Sequence, residues 1–216
     1  MPPRMLVVAG PPGSGKSTLL RPDEHAYFNA DERARDLNHG SGRNISPEVR
    51  AAVNRELERF IAGHIREGAS FSYETTLRTT ITYDQARLAK ECGFETAMWY
   101  VALSSAEESI QRVRERAEGG GHSAPPERIR EIYEASLQNL PRALKEFDYV
   151  AVFDNTDIVK QGRPTRVLET VEGHLVSLVT QPPEWAVKAL RGTAYDLTPK
   201  LQKEVKIEPG DFGFGF

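Results

Sequence analysis

The sequence has a single cysteine, Cys92, among its 216 residues. One cysteine cannot form an internal disulfide, and it excludes a zinc site built from several cysteines. Low cysteine usage is typical of a reducing compartment, so we expect a cytoplasmic protein. The apolar run Met5 to Ala9 is too short for the hydrophobic region of a signal peptide, which agrees with that expectation.

The chain also lacks a long hydrophobic run and a strong charge of either sign. A membrane-spanning helix needs about 20 apolar residues, and no segment of that kind is present, so we expect no membrane partner. The formal net charge is −3, so no overall basic field attracts nucleic acid. The content of 39% hydrophobic and 27% charged residues is ordinary for a globular chain with one main core.

What the sequence does have is a glycine-rich stretch that matches G-x-x-x-x-G-K-[ST] without a mismatch. Its residues are Gly10, Pro11, Pro12, Gly13, Ser14, Gly15, Lys16, Ser17 and Thr18. An apolar run suited to a buried strand precedes it and a helix can follow, which is the context of a phosphate-binding loop. A chance match by a glycine- and proline-rich turn is the alternative, and this context disfavours it.

The chemistry of such a loop follows from its residue types. Backbone N–H groups and the helix N-terminus surround the phosphates of ATP or GTP. Lys16 reaches the β- and γ-phosphates, and the Ser17 hydroxyl is the predicted protein ligand of Mg²⁺. The five histidines of the chain show no spacing typical of metal ligands, so we expect no metal site made by the protein alone.

Downstream of the loop, strand and helix patterns alternate, which predicts an α/β protein with the P-loop NTPase fold. We expect a mainly parallel five-stranded sheet flanked by helices, a helical lid at about residues 112–130 and a C-terminal β-hairpin. The P-loop domain is predicted to cover residues 1–191. Proline, glycine and charged residues dominate residues 192–216, which predicts an extended tail.

Polar residues follow two further predicted strands. Asp31 comes after a short strand at residues 26–28, and Glu74 comes after another at residues 70–73. The carboxyl ends of parallel strands meet at one edge of a sheet, where the phosphate loop also lies. Asp31 could therefore act as a general base towards an acceptor hydroxyl. The alternative is that Asp31 caps the helix that begins there.

Other side chains near these strand ends and in the predicted lid are candidates for substrate contacts. Glu74, Thr75 and Arg78 could hold the acceptor, with Arg78 binding an anionic group, or they could form a solvated loop. Arg112 and Arg116 stand four residues apart and share one helix face. They could stabilise charge on the transferring phosphoryl group, or they could form a solvated helix surface.

These motifs together resemble the zeta-toxin family over about residues 5–190. The resemblance rests on the phosphate-binding loop, residues 28–31, residues 74–78, the helix at Arg112 with the glycines and histidine that follow it, and residues 136–140. It implies an ATP- and Mg²⁺-dependent kinase core that phosphorylates the amino-sugar 3′-hydroxyl of UDP-N-acetylglucosamine. It also implies Asp31 as the general base, Glu74 and Thr76 in the substrate site with Asn29 nearby, and a possible antitoxin partner.

The sequence departs from that family at two places. Arg112 matches the first lid arginine, but the second lies in an A-R-A-T-P run that this chain lacks. Arg116, Arg128 and Arg130 are candidates to replace it, and Thr75 stands where the family has glycine. Two other functions therefore stay open: a kinase for another small metabolite or an antibiotic, and a nucleotide-binding regulatory module without transfer activity.

Overall fold

A parallel sheet around one buried strand positions the phosphate-binding loop. The computed structural model describes residues 1–19, 25–118, 124–157 and 162–198. The strands are β1 (Arg4–Ala9), β2 (Ala26–Phe28), β3 (Phe71–Thr75), β4 (Glu95–Ala102), β5 (Tyr149–Asp154), β6 (Thr165–Val171) and β7 (His174–Leu178). The helices are α1 (Lys16–Leu19), α2 (Ala30–Leu37), α3 (Pro47–Glu67), α4 (Ile81–Glu91), α5 (Ala106–Glu118), α6 (Pro126–Glu146) and α7 (Glu184–Leu190).

The strands form one sheet in the order β2-β3-β1-β4-β5-β6-β7. The first five are parallel, and β6 and β7 are antiparallel to their neighbours. The predicted fold class is thereby confirmed, with a parallel five-stranded part and a C-terminal hairpin. The hairpin extends the same sheet, because β6 pairs with β5 along its whole length.

The central strand β1 is apolar on both faces because the sheet is covered on both sides. Its residues Met5, Val7 and Ala9 contribute to one cluster of buried side chains, and Leu6 and Val8 contribute to a second. Since β1 lies between β3 and β4, its carboxyl end delivers the phosphate-binding loop to the middle of the sheet edge.

The predicted start of a tail at Gly192 is too early. Tyr195 and Leu197 are buried in the larger core cluster, and the Tyr195 hydroxyl donates to the backbone oxygen of Gly173, 2.8 Å away. These contacts hold the segment against the domain as far as Leu197. Residues 199–216 of the predicted tail lie outside the described residues.

The helices on either side of the predicted lid hinge, α5 and α6, form as expected, whereas residues 119–123 between them lie outside the described residues. None of the helices in the described ranges is long and apolar enough to cross a membrane.

Candidate active site

The phosphate-binding loop joins β1 to α1 and is held by its neighbours in the sheet. The backbone N–H of Gly10 donates to the oxygen of Thr75 at the end of β3, 3.2 Å away. Gly10 and Gly15 both have positive φ angles, 144° and 89°. A Cβ atom at Gly10 would lie 2.0 Å from the Val101 oxygen, and one at Gly15 would lie 2.3 Å from Nδ2 of Asn155. The loop conformation therefore requires glycine at both positions.

Asn155, just after β5, fastens the tip of the loop to the sheet. Its Nδ2 donates to the backbone oxygen of Ser14, 2.8 Å away, and its side chain is almost fully buried. Asn155 was not among the predicted site residues, although its position at the carboxyl end of a predicted strand could have indicated a place in the site. Because a buried amide holds its partner in a fixed place, Asn155 sets the position of the loop backbone.

Lys16 lies inside the cradle formed by the loop. Its Nζ donates to the backbone oxygens of Gly10 and Pro11, each 3.0 Å away. Burial lowers the pKa of Lys16, the charges of Glu74 and Asp31 act in the opposite direction, and Arg116 lowers the pKa further. Glu74 and Asp31 thus favour the charged form of Lys16, and Arg116 disfavours it. In the sheet, Glu74 pairs with Val8 of β1, the strand that leads into the loop.

Asp31 lies in the first turn of α2, and its proposed role as a helix cap is wrong. Asn29 is the N-cap, because its Oδ1 accepts from the backbone N–H groups of Asp31 and Glu32, at 2.9 and 3.2 Å. The Asp31 side chain is exposed and forms no hydrogen bond or ion pair with the described residues. Its oxygens are therefore not occupied by a donor from the described residues, and its role as a general base stays a prediction.

Glu74 belongs to β3 itself, which runs to Thr75 and so extends past the predicted end at residue 73. The Tyr27 hydroxyl and Nδ2 of Asn29 both donate to Oε1 of Glu74, which excludes the solvated-loop alternative for this residue. The Thr75 hydroxyl is held locally, since it accepts from the Leu77 N–H at 3.2 Å. Thr76 lies next to them and is partly exposed.

The two predicted arginines of α5 lie in different surroundings. Nη2 of Arg112 contacts Oε1 of Glu108 at 2.7 Å and the backbone oxygens of Asn155 and Thr156 at 3.0 and 2.8 Å. Arg112 is thus tied to the segment after β5. Arg116 is exposed, and its charge acts on Lys16.

The other two candidates for a second lid arginine form ion pairs on helix surfaces. Arg128 pairs with Glu131 at 2.6 Å, and Arg130 pairs with Glu107 at 3.1 Å. Arg116 is the only one of the three candidates whose charge contributes to the pKa of Lys16.

Arg78 lines a groove of about 370 Å³ between the turn after β3 and helix α6. The groove is also lined by Thr79, Arg128, Glu131, Ile132 and Ala135. Partial burial lowers the pKa of Arg78, and the positive charges of Arg128 and Arg50 lower it further. No carboxylate in the described ranges forms an ion pair with Arg78. Because Arg128 pairs with Glu131, Arg78 is the cation of the groove that has no carboxylate partner among the described residues.

The backbone before Arg78 is held in an unusual conformation. Leu77 is fully buried and has a φ of 54°, in the left-handed region that glycine favours. Its carbonyl oxygen accepts from Nδ2 of Asn139 on α6, 2.8 Å away. This bond fixes the turn from which Arg78 extends, and Asn139 lies in the segment 136–140 noted in the sequence.

Within the described ranges, no group of three or more histidine, cysteine or acidic residues could hold a metal ion. The Ser17 hydroxyl at the end of the loop is exposed. It stays the predicted protein ligand of a Mg²⁺ ion that would also bind the phosphates of a nucleotide.

A family model described as an AAA domain matches residues 5–140. The chain belongs to this family. The match covers the phosphate-binding loop, both candidate carboxylates and all three arginines of α5. A search of curated proteins finds no match.

Solved structures share the fold at low sequence identity. A structure of the PezAT chromosomal toxin–antitoxin system of Streptococcus pneumoniae is 16% identical, with a TM-score of 0.56 over 76% of this chain and 71% of the other. An AvrRxo1-ORF1:-ORF2 structure with ATP is 18% identical, with a TM-score of 0.63, and covers 82% of this chain and 60% of the other. A Chloroflexus aurantiacus protein, provisionally described as a kinase, is 18% identical, with a TM-score of 0.57 over 74% of this chain and 92% of the other.

These likenesses confirm the predicted resemblance at the level of fold. The chain has the fold of a zeta-toxin-like P-loop kinase, with a phosphate-binding loop suited to a nucleotide. The chain spans only about three-fifths of the AvrRxo1 chain that it matches.

Proposed function

We propose that this protein is an ATP-dependent phosphotransferase that phosphorylates a hydroxyl group of a nucleotide sugar such as UDP-N-acetylglucosamine. The observation that carries the proposal is that the carboxyl ends of β2, β3 and β1 lie side by side, which places Asp31, Glu74 and the phosphate-binding loop with Lys16 at one edge of the sheet. The charge of Arg116 also acts on Lys16. The Asp31 carboxylate has no partner among the described residues, the Glu74 carboxylate is fixed by hydrogen bonds, and the Lys16 cation belongs to the phosphate-binding loop itself. A phosphotransferase needs all three kinds of group.

In the proposed reaction, the acceptor oxygen forms a bond to the γ-phosphorus as the bond between that phosphorus and the β–γ bridging oxygen breaks. Asp31 takes the proton of the acceptor hydroxyl, and ADP leaves with the bridging oxygen. Lys16 and Arg116 balance negative charge on the transferring group. Bound Mg²⁺ would neutralise phosphate charge, and Ser17 is the residue proposed to hold it.

The groove beside Arg78 supports an anionic acceptor. Arg78 follows β3, which pairs with the strand that leads into the phosphate-binding loop, and a guanidinium binds phosphate through two parallel hydrogen bonds. A cationic antibiotic would meet the like charge of Arg78, whereas Arg128 is paired with Glu131. A nucleotide sugar or another phosphorylated metabolite fits this charge better.

The test is incubation of the protein with Mg-ATP and a panel of nucleotide sugars, sugar phosphates, neutral sugars and aminoglycosides, with mass spectrometry as the readout. We expect one phosphate to be added to a nucleotide sugar. The Asp31→Asn variant is the matched inactive control. Addition only to a neutral or cationic compound would contradict the proposed acceptor, and binding of Mg-ATP without any transfer would favour a regulatory module.

We further propose that the protein has a neutralising protein partner, an antitoxin. The support is the likeness in fold to a component of a toxin–antitoxin system. Expression of the wild-type chain alone should slow growth, whereas expression of Asp31→Asn should not. Equal growth of both strains, at equal protein levels, would argue against toxicity and so against the need for such a partner.

A further inference from the structure

Two side chains hold the Glu74 carboxylate in one orientation. The Tyr27 hydroxyl donates a short hydrogen bond to Oε1 of Glu74, and Nδ2 of Asn29 lies 3.3 Å from the same oxygen. Nδ2 of Asn29 also lies 3.1 Å from the Tyr27 hydroxyl oxygen. An ionised carboxylate only accepts hydrogen bonds, so the donors run from Asn29 through Tyr27 to Glu74.

The sheet places Tyr27 where it can reach Glu74. In the parallel pairing of β2 with β3, Tyr27 stands opposite Ser72. Side chains alternate between the two faces of a strand, so Ser72 and Glu74 share one face with Tyr27. Burial raises the pKa of Tyr27, and the hydrogen bond to Glu74 raises it further. The phenol therefore keeps its proton and remains a donor at any pH at which an enzyme of this kind works.

The Asn29 amide can adopt only one orientation in this setting. Its Oδ1 accepts from the N–H groups of Asp31 and Glu32, which cannot donate to an NH₂ group. Nδ2 must then face Tyr27 and Glu74. A single amide thus connects the end of β3, which carries Glu74, to the start of α2, which carries Asp31.

Both donors act on Oε1 and leave the second oxygen of Glu74 available. Within the described ranges no side chain or N–H group donates to Oε2, although Glu74 is partly buried. Oε2 is therefore the oxygen that can accept a hydrogen bond from a bound acceptor.

We infer that Tyr27 and Asn29 are positioning residues that turn Oε2 of Glu74 towards the acceptor and hold Glu74 in register with Asp31. The inference rests on the proposed function, because the positioned oxygen serves acceptor binding. It adds Tyr27 to the site and gives Asn29, predicted near the substrate, a role that acts through Glu74 without touching the reacting atoms.

The test compares Tyr27→Phe with a matched pair elsewhere in the sheet. Tyr149 on β5 donates a hydrogen bond to Glu169 on β6, so Tyr149→Phe removes the same kind of bond far from the phosphate loop. We expect Tyr27→Phe to lower kcat/KM for the acceptor by about tenfold to a hundredfold, the usual scale for a hydrogen bond to a charged group, with most of the effect on KM. The Kd of Mg-ATP should stay within about twofold, and Tyr149→Phe should change neither quantity.

A double-mutant cycle separates positioning from general destabilisation. In a Glu74→Gln background, Tyr27→Phe should have little further effect on the acceptor KM, because an NH₂ group replaces the Oε2 atom that Tyr27 is proposed to position. Asn29→Ser retains a helix-capping oxygen but loses the amide donor, and it should behave like Tyr27→Phe. The inference would be overturned if the effects of Tyr27→Phe and Glu74→Gln on the acceptor KM multiplied in full in the double variant. It would also be overturned if Tyr27→Phe and Tyr149→Phe changed KM equally.

A second readout does not depend on the acceptor. The side-chain amide protons of Asn29 should shift in NMR spectra of Tyr27→Phe and of Glu74→Gln, but not of Tyr149→Phe. Unchanged Asn29 signals would overturn the inference even if the wild-type protein is an active kinase. Shifted signals in a protein that transfers no phosphate would overturn the proposed function, and with it the positioning role, while leaving the hydrogen bonds in place.

Discussion

At the scale of single residues, Lys16 has the most direct link to the nucleotide. Lys16→Ala should weaken Mg-ATP binding and lower turnover, each by at least about tenfold, because the ammonium faces the phosphates in the ground state and in the transition state. Calorimetry and steady-state assays measure the two effects. Lys188→Ala is the control, since Lys188 lies on α7 in an exposed pair with Glu184. Unchanged affinity together with unchanged turnover would contradict the role of the loop.

Asp31 gives a sharper test because only its chemistry is proposed to matter. Asp31→Asn should bind Mg-ATP nearly as well as the wild type and lose phosphate transfer by roughly two to four powers of ten, the scale expected for a general base. Asparagine keeps the size of the side chain but cannot accept the hydroxyl proton. Single-turnover measurements with saturating ATP give the transfer rate.

Glu32→Gln is the matched control for Asp31→Asn. Glu32 lies next to Asp31 in the first turn of α2, is also exposed, and donates its N–H to the same Asn29 cap. If charge at the start of this helix had only a general effect, both variants would lose phosphate transfer to the same extent. Near-normal transfer by Asp31→Asn would remove the base assignment.

At the scale of elements, two of the three arginines of α5, Arg112 and Arg116, have different predicted effects. Arg112 fastens α5 to the segment after β5, which also holds the loop through Asn155. Arg112→Ala should therefore lower the melting temperature by roughly 2–10 °C, equivalent to about 1–3 kcal/mol for a chain of this size, and weaken Mg-ATP binding. Arg116→Ala should leave the melting temperature nearly unchanged and reduce kcat by about a hundredfold to a thousandfold.

Arg114→Ala is the control on the same helix. Arg114 is exposed and lies 4.0 Å from Glu118, so its loss should affect neither stability nor turnover. Thermal unfolding and kinetics with saturating substrates separate the three variants. A loss of kcat in Arg112→Ala without a loss of stability would instead assign Arg112 to charge stabilisation, the role that its match to the first lid arginine implies.

At the scale of the whole molecule, the charge of the chain opposes that of the site. The net charge of −3 repels an anionic substrate at long range, whereas Arg78 and its neighbours attract it at short range. Salt screens charges beyond roughly 10 Å at 0.1 M ionic strength. The attraction in an open groove is screened as well, so kcat/KM for the acceptor should fall several-fold between roughly 0.05 and 0.3 M salt.

Arg78→Gln should flatten this dependence on salt, because it removes the unpaired cation of the groove. Arg87→Gln is the control, since Arg87 pairs with Asp84 on the exposed side of α4. A kcat/KM that rises with salt, or a slope that Arg78→Gln leaves unchanged, would indicate that the groove does not bind an anionic part of the acceptor.

The sequence by itself determined the features that depend on local chemistry. The phosphate-binding loop is a contiguous pattern of glycines, lysine and serine, and its strand and helix follow from the residues on each side. Alternating apolar strands and amphipathic helices were sufficient for the parallel sheet and its C-terminal hairpin. The carboxyl-edge rule then placed Asp31 and Glu74 near the loop, and the charges acting on Lys16 agree with that placement.

Only the tertiary structure decided which side chains meet. Asparagine and aspartate are about equally good helix caps, so the sequence around α2 does not decide between Asn29 and Asp31. In the folded chain Asn29 is the cap, and its amide is also held by Tyr27 and Glu74 from the neighbouring strands. Arg112 donates to the backbone oxygen of Asn155 across 43 residues of chain, and Asn155 in turn donates to Ser14 of the loop across 141 residues. Hydrogen-bond partners are set by the distance between atoms in the folded chain, and the spacing of residues along the sequence does not give that distance.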